Sequence, residues 1–234
     1  DPEPEHVKRV ERELWTQIKE VGQNSRRTGC GFTALGDTLA ALGIKYDSED
    51  ALNVIKDIMS TKMLAELDCT TDLAILRGTF DGWDGSKEFF KSDGELWGQN
   101  DFFKFVAEEF PEQAQRMYKY GRRNVSFSTV APTGSTSILT QTTSGIEPLF
   151  MPYYFRRKKI NPGDSGVRID LVDQNGDSWM EYPVMHPKFI EWFYITFNGK
   201  SVDRKLSYAD CKKILEGLDK ETLDARFAMS PWYG

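Results

Sequence analysis

The chain has 234 residues, 39% of them hydrophobic and 13% aromatic, the make-up of a globular protein long enough to bury a core. Its 36 acidic residues outnumber 30 basic ones, and the resulting net charge of −6 argues against a nucleic-acid-binding surface. No apolar run approaches the roughly 20 residues that span a bilayer, and the acidic start D-P-E-P-E-H lacks a signal-peptide core, so the expected address is cytoplasmic.

In chain order, residues 5–21 place Val7, Val10, Leu14, Ile18 and Val21 at the three- and four-residue intervals of an amphipathic helix, with Gly22 and Asn24 as its stop. Arg26–Gly31 reads as a glycine-punctuated loop, and 32–42 as a mostly buried helix ended by Gly43. Asp47 or Ser48 is placed to cap a third helix, with Glu49 and Asp50 at its positive end. The apolar stripe of that helix runs through Leu52, Ile55, Met59, Met63 and Leu67 toward Leu76. Residues 78–100 hold five glycines and many aromatic rings, which predicts a long irregular surface connection. Short helices are expected over 101–109 and 111–120, the second opened by Pro111 and closed by Gly121.

Residues 125–131, V-S-F-S-T-V-A, form a strand candidate stopped by Pro132. Segments 149–160 and 166–172 are expected to pair as a hairpin across N-P-G-D, with 179–184 as a third strand. Helices are expected over 187–197 and 207–217, the latter capped by Ser207. Alternating helices and strands point to the α/β class, with too few strands for a closed barrel or a complete doubly wound sheet. That pattern is expected of a piece of something larger.

Cys30, Cys69 and Cys211 are odd in number and far apart, which fits neither a disulfide framework nor a zinc site. Each is read as a small packed hydrophobe. His6 and His186 stand alone, so no metal site is expected from this segment. The loop A-P-T-G-S-T-S, residues 131–137, has the chemistry of an anion cradle. Gly134 lets the backbone come close, and the residues after it can open a helix with free N–H groups. Thr133, Ser135, Thr136 and Ser137 add hydroxyls, and the absence of lysine rules out a Walker A loop. Composition alone would leave this stretch as a capped turn.

Its flanks say more. Residues 123–150, R-N-V-S-F-S-T-V-A-P-T-G-S-T-S followed by I-L-T-Q-T-T-S-G-I-E-P-L-F, resemble the large catalytic subunit of ribonucleotide reductase. Upstream, R-R-T-G-C-G with the helices around it resembles the family's R-R-x-G-x-G helix pair, in the right order and spacing over roughly residues 22–160. The resemblance implies part of a ten-stranded α/β barrel, helix-rich over 1–123, with a phosphate-loop strand, hairpin and helices over 124–234. It also implies that Pro132, Thr133, Gly134, Ser135, Thr136 and Ser137 bind the phosphates of a ribonucleoside di- or triphosphate. Glu147, in S-G-I-E-P, is then a supporting residue that orients the loop by accepting hydrogen bonds.

The variants A-P-T-G-S-T-S-I and Y-Y-F-R-R-K-K-I-N-P look most like the adenosylcobalamin-dependent class, which implies that cofactor; classes using a separate metal-radical subunit stay open. The run Arg156–Lys159 is read as a solvated charge run on a hairpin, with a nucleotide or cofactor phosphate as the alternative. The family's thiyl-radical cysteine sits in N-x-C-x-E, and no such motif occurs here, so no catalytic residue is assigned. The expectation is a segment of the catalytic chain, inactive alone and partnered by the remainder bearing N-x-C-x-E, with a homodimer left open and neither nucleic acid nor membrane as partner. The alternatives are a non-catalytic nucleotide- or phosphate-binding module, and an interaction protein using 78–100.

Overall fold

The computed structural model describes residues 3–161, 163, 165–198, 213 and 217–233, and the chain divides into two units. The first comprises Asp1–Gly31 and Asn53–Thr129; the second comprises Phe32–Leu52 and Val130–Gly234.

In the first unit, helix α1 (Glu5–Ser25) runs through Gly22, four residues past its expected end. It stops where Arg26 turns left-handed (φ 45°) and donates its N–H to Gly22 O at 2.8 Å. None of its residues is buried. A further helix, α3 (Glu49–Arg77), covers the expected apolar stripe and belongs to this unit from Asn53 onward; Ser48 Oγ accepts the Ala51 N–H at its start, in the second unit. At its far end, Arg123 Nη1 donates to the carbonyls of Arg77, Gly78 and Thr79, each at 3.1 Å. The Arg77 carbonyl is one of the orphans of the helix C-terminus and the other two follow it directly, so a cation is their natural partner.

Residues 78–100 are more ordered than expected. A single 3₁₀ turn (Gly85–Lys87) leads into a hairpin of β1 (Phe89–Ser92) and β2 (Glu95–Gly98). Its two-residue turn is Asp93-Gly94, both left-handed (φ 53° and 86°), the backbone that matches the twist of paired strands. Gly98 is needed for packing: a Cβ there would lie 2.1 Å from Lys104 N. Helices α4 (Asp101–Glu109) and α5 (Pro111–Tyr120) fall where expected, with Asn100 capping α4 through Phe103 N–H at 3.1 Å. Phe89, Phe103, Val106, Ala114 and Met117 join Leu67 and Phe127 in the unit's core.

The expected strand over 125–131 is not a laddered strand. It makes one parallel bridge, Cys30 to Ser128, supported by Thr28 N–H to Ser126 O (2.8 Å), Cys30 N–H to Phe127 O (2.8 Å) and Thr129 N–H to Cys30 O (3.1 Å). Gly29 and Gly31 allow the approach, since a Cβ on either would stand 3.0 Å from Thr129 atoms. Cys30 is exposed beside this contact, and so is Cys69 on α3, against the expectation that both are packed. Cys211 lies outside the described residues.

A buried guanidinium fixes the stretch before that bridge. Arg122 donates to Glu88 (2.7 Å), to Asn124 O (2.7 Å) and to Val125 O (2.6 Å), between the rings of Phe80 and Phe103. Two buried charges persist here because each has a partner of opposite sign.

In the second unit, helix α2 (Leu35–Ala41) is shorter than the expected 32–42, because Ala34 is left-handed (φ 71°) just before it. Helix α6 (Gly134–Thr140) is followed by a three-stranded antiparallel sheet of β3 (Tyr153–Lys159), β4 (Leu171–Val172) and β5 (Ser178–Met185), in the order β3-β5-β4. The expected hairpin of 149–160 with 166–172 is therefore corrected: β5 lies between them. Charge and turn chemistry explain the choice. Arg157 falls opposite Glu181 and ion-pairs with it at 2.6 Å, and Lys159 reaches Asp177. The tight turn is instead Asp173–Asp177, where the Asp173 carboxylate accepts from the amides of Asn175 (2.9 Å) and Asp177 (3.0 Å) and from the Trp179 indole (2.9 Å).

Helix α7 (Pro187–Asn198) matches expectation, whereas α8 (Lys220–Phe227), capped by Asp219, was not foreseen. The expected helix over 207–217, with its Ser207 cap, lies outside the described residues apart from Lys213 and Gly217. Tyr153 and Met185 pack with Phe189, Ile190, Phe193, Tyr194 and Leu223 as the core of this unit. Among the described residues no closed barrel forms.

Urea unfolding of Arg122→Leu is expected to show a loss of about 3–5 kcal/mol, the cost of stranding a buried partner charge. Part of that loss should return when Glu88→Leu is added. A loss below about 1 kcal/mol, the range of exposed pairs, would show that Glu88 is solvated.

Candidate phosphate-binding loop

The loop at 132–137 is the start of α6, and its chemistry depends on which way each small polar side chain turns. Thr133 holds the cap position in a left-handed conformation (φ 48°, ψ 27°), and its side chain makes no capping bond. Its hydroxyl instead accepts the Gly145 N–H at 2.6 Å and donates to Thr33 Oγ1 at 3.2 Å; Thr33 in turn donates to Thr143 O at 2.8 Å. The residue best suited to cap the helix is thus committed to holding the loop.

The helix end is left open as a result. Ser137 N–H is the first with a helical acceptor, Thr133 O at 2.8 Å. The amides of Gly134, Ser135 and Thr136 have no acceptor among the described residues, and all three residues are exposed. Nothing stands within 4 Å of the position a Cβ would take on Gly134, so its backbone is open to approach.

Ser137 is different from its neighbours. It is buried, donating to Gly134 O at 2.8 Å and sharing a 2.8 Å bond with Ser144 Oγ. Of the six residues expected to bind phosphate, Gly134, Ser135 and Thr136 present free donors. Thr133 and Ser137 support them, and Pro132 leads in without a donor.

Glu147 does not behave as expected. It is exposed, and among the described residues its carboxylate accepts no hydrogen bond. One of its oxygens lies 2.7 Å from where a Cβ on Gly145 would be. The loop is oriented by the Gly145 amide and the Ser144 hydroxyl instead.

The support beneath the loop was missed by sequence reasoning. Asp37 on α2 is buried, and its carboxylate accepts the Thr143 N–H (2.9 Å) and the Trp232 indole N–H (3.0 Å) and meets His186 Nε2 (2.9 and 3.0 Å). In return Asp37 N–H donates to Thr143 Oγ1 at 3.2 Å, and Ala34 N–H donates to Thr143 O at 3.0 Å. Gly36 lets α2 lie against this segment, because a Cβ there would be 3.0 Å from Glu147 O. Tyr46 OH holds the next carbonyl, that of Ile146. One signal was available: an aspartate inside the apolar run L-G-D-T-L-A-A-L.

Burial pushes the Asp37 carboxyl upward, but the His186 hydrogen bond and charge, with the Trp232 and Thr143 donors, outweigh it and hold it below the usual carboxylate range. Among the described residues no group of three or more His, Cys, Asp or Glu side chains is arranged to hold a metal.

The sequence profile of the family described as "Ribonucleotide reductase, barrel domain" matches residues 6–174. The chain is 31% identical over 141 residues to the vitamin B12-dependent ribonucleoside-diphosphate reductase of Mycobacterium tuberculosis (strain ATCC 25618 / H37Rv), covering 60% of this chain and 16% of that protein. It is 30% identical over 140 residues to the protein of the same name from Thermoplasma acidophilum, covering 60% and 15%. It is 30% identical over 180 residues to ribonucleoside-diphosphate reductase large chain 2 of Saccharomyces cerevisiae, covering 68% and 20%. The matched stretch thus spans a fifth or less of each of these relatives.

Because the folded Asp37 pKa lies below its ordinary value of 3.8, its stabilising effect is fully present above that pH and is lost as pH falls through the folded value. Asp37→Asn is therefore expected to lower stability at pH 7 and to flatten the fall in stability below about pH 4. Denaturant titrations of both proteins from pH 2.5 to pH 7 would check this. Parallel curves would exclude Asp37 as the source.

Proposed function

The chain belongs to the ribonucleotide reductase barrel-domain family, and we propose that it supplies the substrate-phosphate loop of an enzyme that reduces ribonucleotides to 2′-deoxyribonucleotides for DNA synthesis. The observation that carries this reading is the uncapped start of α6, with three free amides and the hydroxyls of Ser135 and Thr136 on an exposed surface. A diphosphate offers oxygens that accept several such donors at once, and hydrogen bonds to a charged acceptor are the stronger kind. Since α6 has only seven residues, the oriented amides matter more than a summed helix dipole.

This segment's part is to hold and orient. Thr133 and Ser137 keep the amides pointed outward, and the Asp37 network keeps the segment behind them in place. Exposed Cys30 and Cys69 lack the neighbours of a radical cysteine, so hydrogen abstraction from the ribose is assigned to the rest of the catalytic chain, the proposed partner.

Diphosphate rather than triphosphate substrates are favoured by the names of the relatives, and so is adenosylcobalamin as the radical source. The cobalt of that cofactor is carried by its own corrin ring and asks for no cluster of protein ligands; among the described residues His186 is engaged by Asp37, and none is assigned to the cofactor.

Gly134→Val tests the loop without disturbing the fold, because the new side chain enters open space. Calorimetry with cytidine diphosphate should show binding weakened at least tenfold at an unchanged Tm. Ser135→Ala or Thr136→Ala should weaken it by a smaller factor, corresponding to about 0.5–1.5 kcal/mol for one hydrogen bond. Unchanged affinity in all three variants would remove this loop from the phosphate site.

A further inference from the structure

Among the described residues, the sheet of the second unit has one long open edge. There β3 pairs on one side only, and the bonds at its two ends fix which main-chain groups face outward. Ile160 N–H donates to Ser178 O (2.9 Å) and His186 N–H to Pro152 O (2.7 Å), so Tyr154, Arg156 and Lys158 direct their amides and carbonyls to β5. Phe155, Arg157 and Lys159 direct theirs away, and those amides have no acceptor among the described residues.

The two faces of β3 differ in charge. Arg157 and Lys159 share the face of Phe155, and both are neutralised, by Glu181 and Asp177. Tyr154, Arg156 and Lys158 share the other face, opposite Val184, Tyr182 and Met180. There, Arg156 and Lys158 make no ion pair or hydrogen bond among the described residues. Tyr154 and Phe155 are 48% and 46% exposed.

We propose that the β3 edge takes up an extended acidic segment of a partner protein as a fourth strand. Its main chain would meet the outward groups of Phe155, Arg157 and Lys159. Carboxylates at alternate positions would face Arg156 and Lys158, with β-branched residues between them lying on the face of Phe155. Lysine and arginine on an edge also deter unwanted pairing, but that function gains nothing from neutralising one face and leaving the other uncompensated. The division by face selects an alternating partner, not merely an acidic one. This edge is formed by residues other than those of the phosphate loop.

The probe is a fluorescent seven-residue peptide alternating glutamate with valine or threonine, titrated into the 234-residue chain. A control peptide of the same composition has its glutamates consecutive. Saturable binding of the alternating peptide is expected, weakened at least tenfold in the control and in Arg156→Glu/Lys158→Glu. Phe155→Pro should weaken it similarly, since it removes an outward N–H and leaves the β3–β5 bonds intact.

Hydrogen exchange on the unaltered protein gives a reading that needs no variant. The amides of Phe155, Arg157 and Lys159 should become protected when the peptide binds. No binding, or binding without that protection, would overturn the proposal. Equal binding of the control peptide or of oligodeoxythymidylate would reduce the surface to an unspecific cationic patch and overturn it as well.

Discussion

The carboxylate of Asp37 is the point on which the second unit depends. A buried charge is tolerated only when its lone pairs are filled by good donors, and here an amide, an indole and an imidazole surround it. Those donors come from Thr143, Trp232 and His186, three places far apart in the chain. One side chain thereby joins α2, the segment behind the proposed phosphate loop and the C-terminal region. Hydrophobic packing of Phe189, Ile190, Phe193 and Leu223 provides most of the cohesion, but it is not directional. The position of Thr143, and through Gly145 the set of the Thr133 hydroxyl, requires bonds with defined geometry.

Local patterns were legible where local chemistry decides the outcome. Helices α4 and α5 stand where Asn100, Pro111 and Gly121 punctuate the sequence. The β1–β2 hairpin is equally local, written in Asp93-Gly94, but the many glycines around it give the stretch the composition of an irregular connection. Strand pairing was less legible, because the competition between 166–172 and β5 for β3 is settled by contacts such as Arg157 with Glu181. Helix α1 marks another limit. Its spacing correctly predicts a helix, yet Val10, Leu14, Trp15, Ile18 and Val21 are all about half exposed or more. Amphipathic spacing reports what a helix is able to bury, not what it does bury.

At the phosphate loop the residue types were visible in the sequence and their division of labour was not. Five small polar or glycine positions in a row look interchangeable. Their roles separate only when Thr33 comes within reach of Thr133, 100 residues away in sequence, and Ser144 comes within reach of Ser137. The support residues were harder still to find, because a buried aspartate in an apolar helix resembles an ordinary solvent-facing one until its partners are known. Family membership is consistent with a binding role for the loop. The geometry adds a distinction the motif does not contain, between residues that present donors and residues that aim them.

The diverted cap of α6 has a consequence for selection. A threonine that capped its own helix would stabilise it by about 0.5–2 kcal/mol. Turning that hydroxyl toward Gly145 leaves the free protein locally frustrated. An anion that accepts the three open amides relieves the frustration, so ligand affinity and folding stability become linked through the same few atoms. If the loop has its proposed role, mutations that restore a conventional cap would stabilise the fold while competing with the ligand. Stability and binding would then be opposed at this position, and a more stable sequence would not be a fitter one.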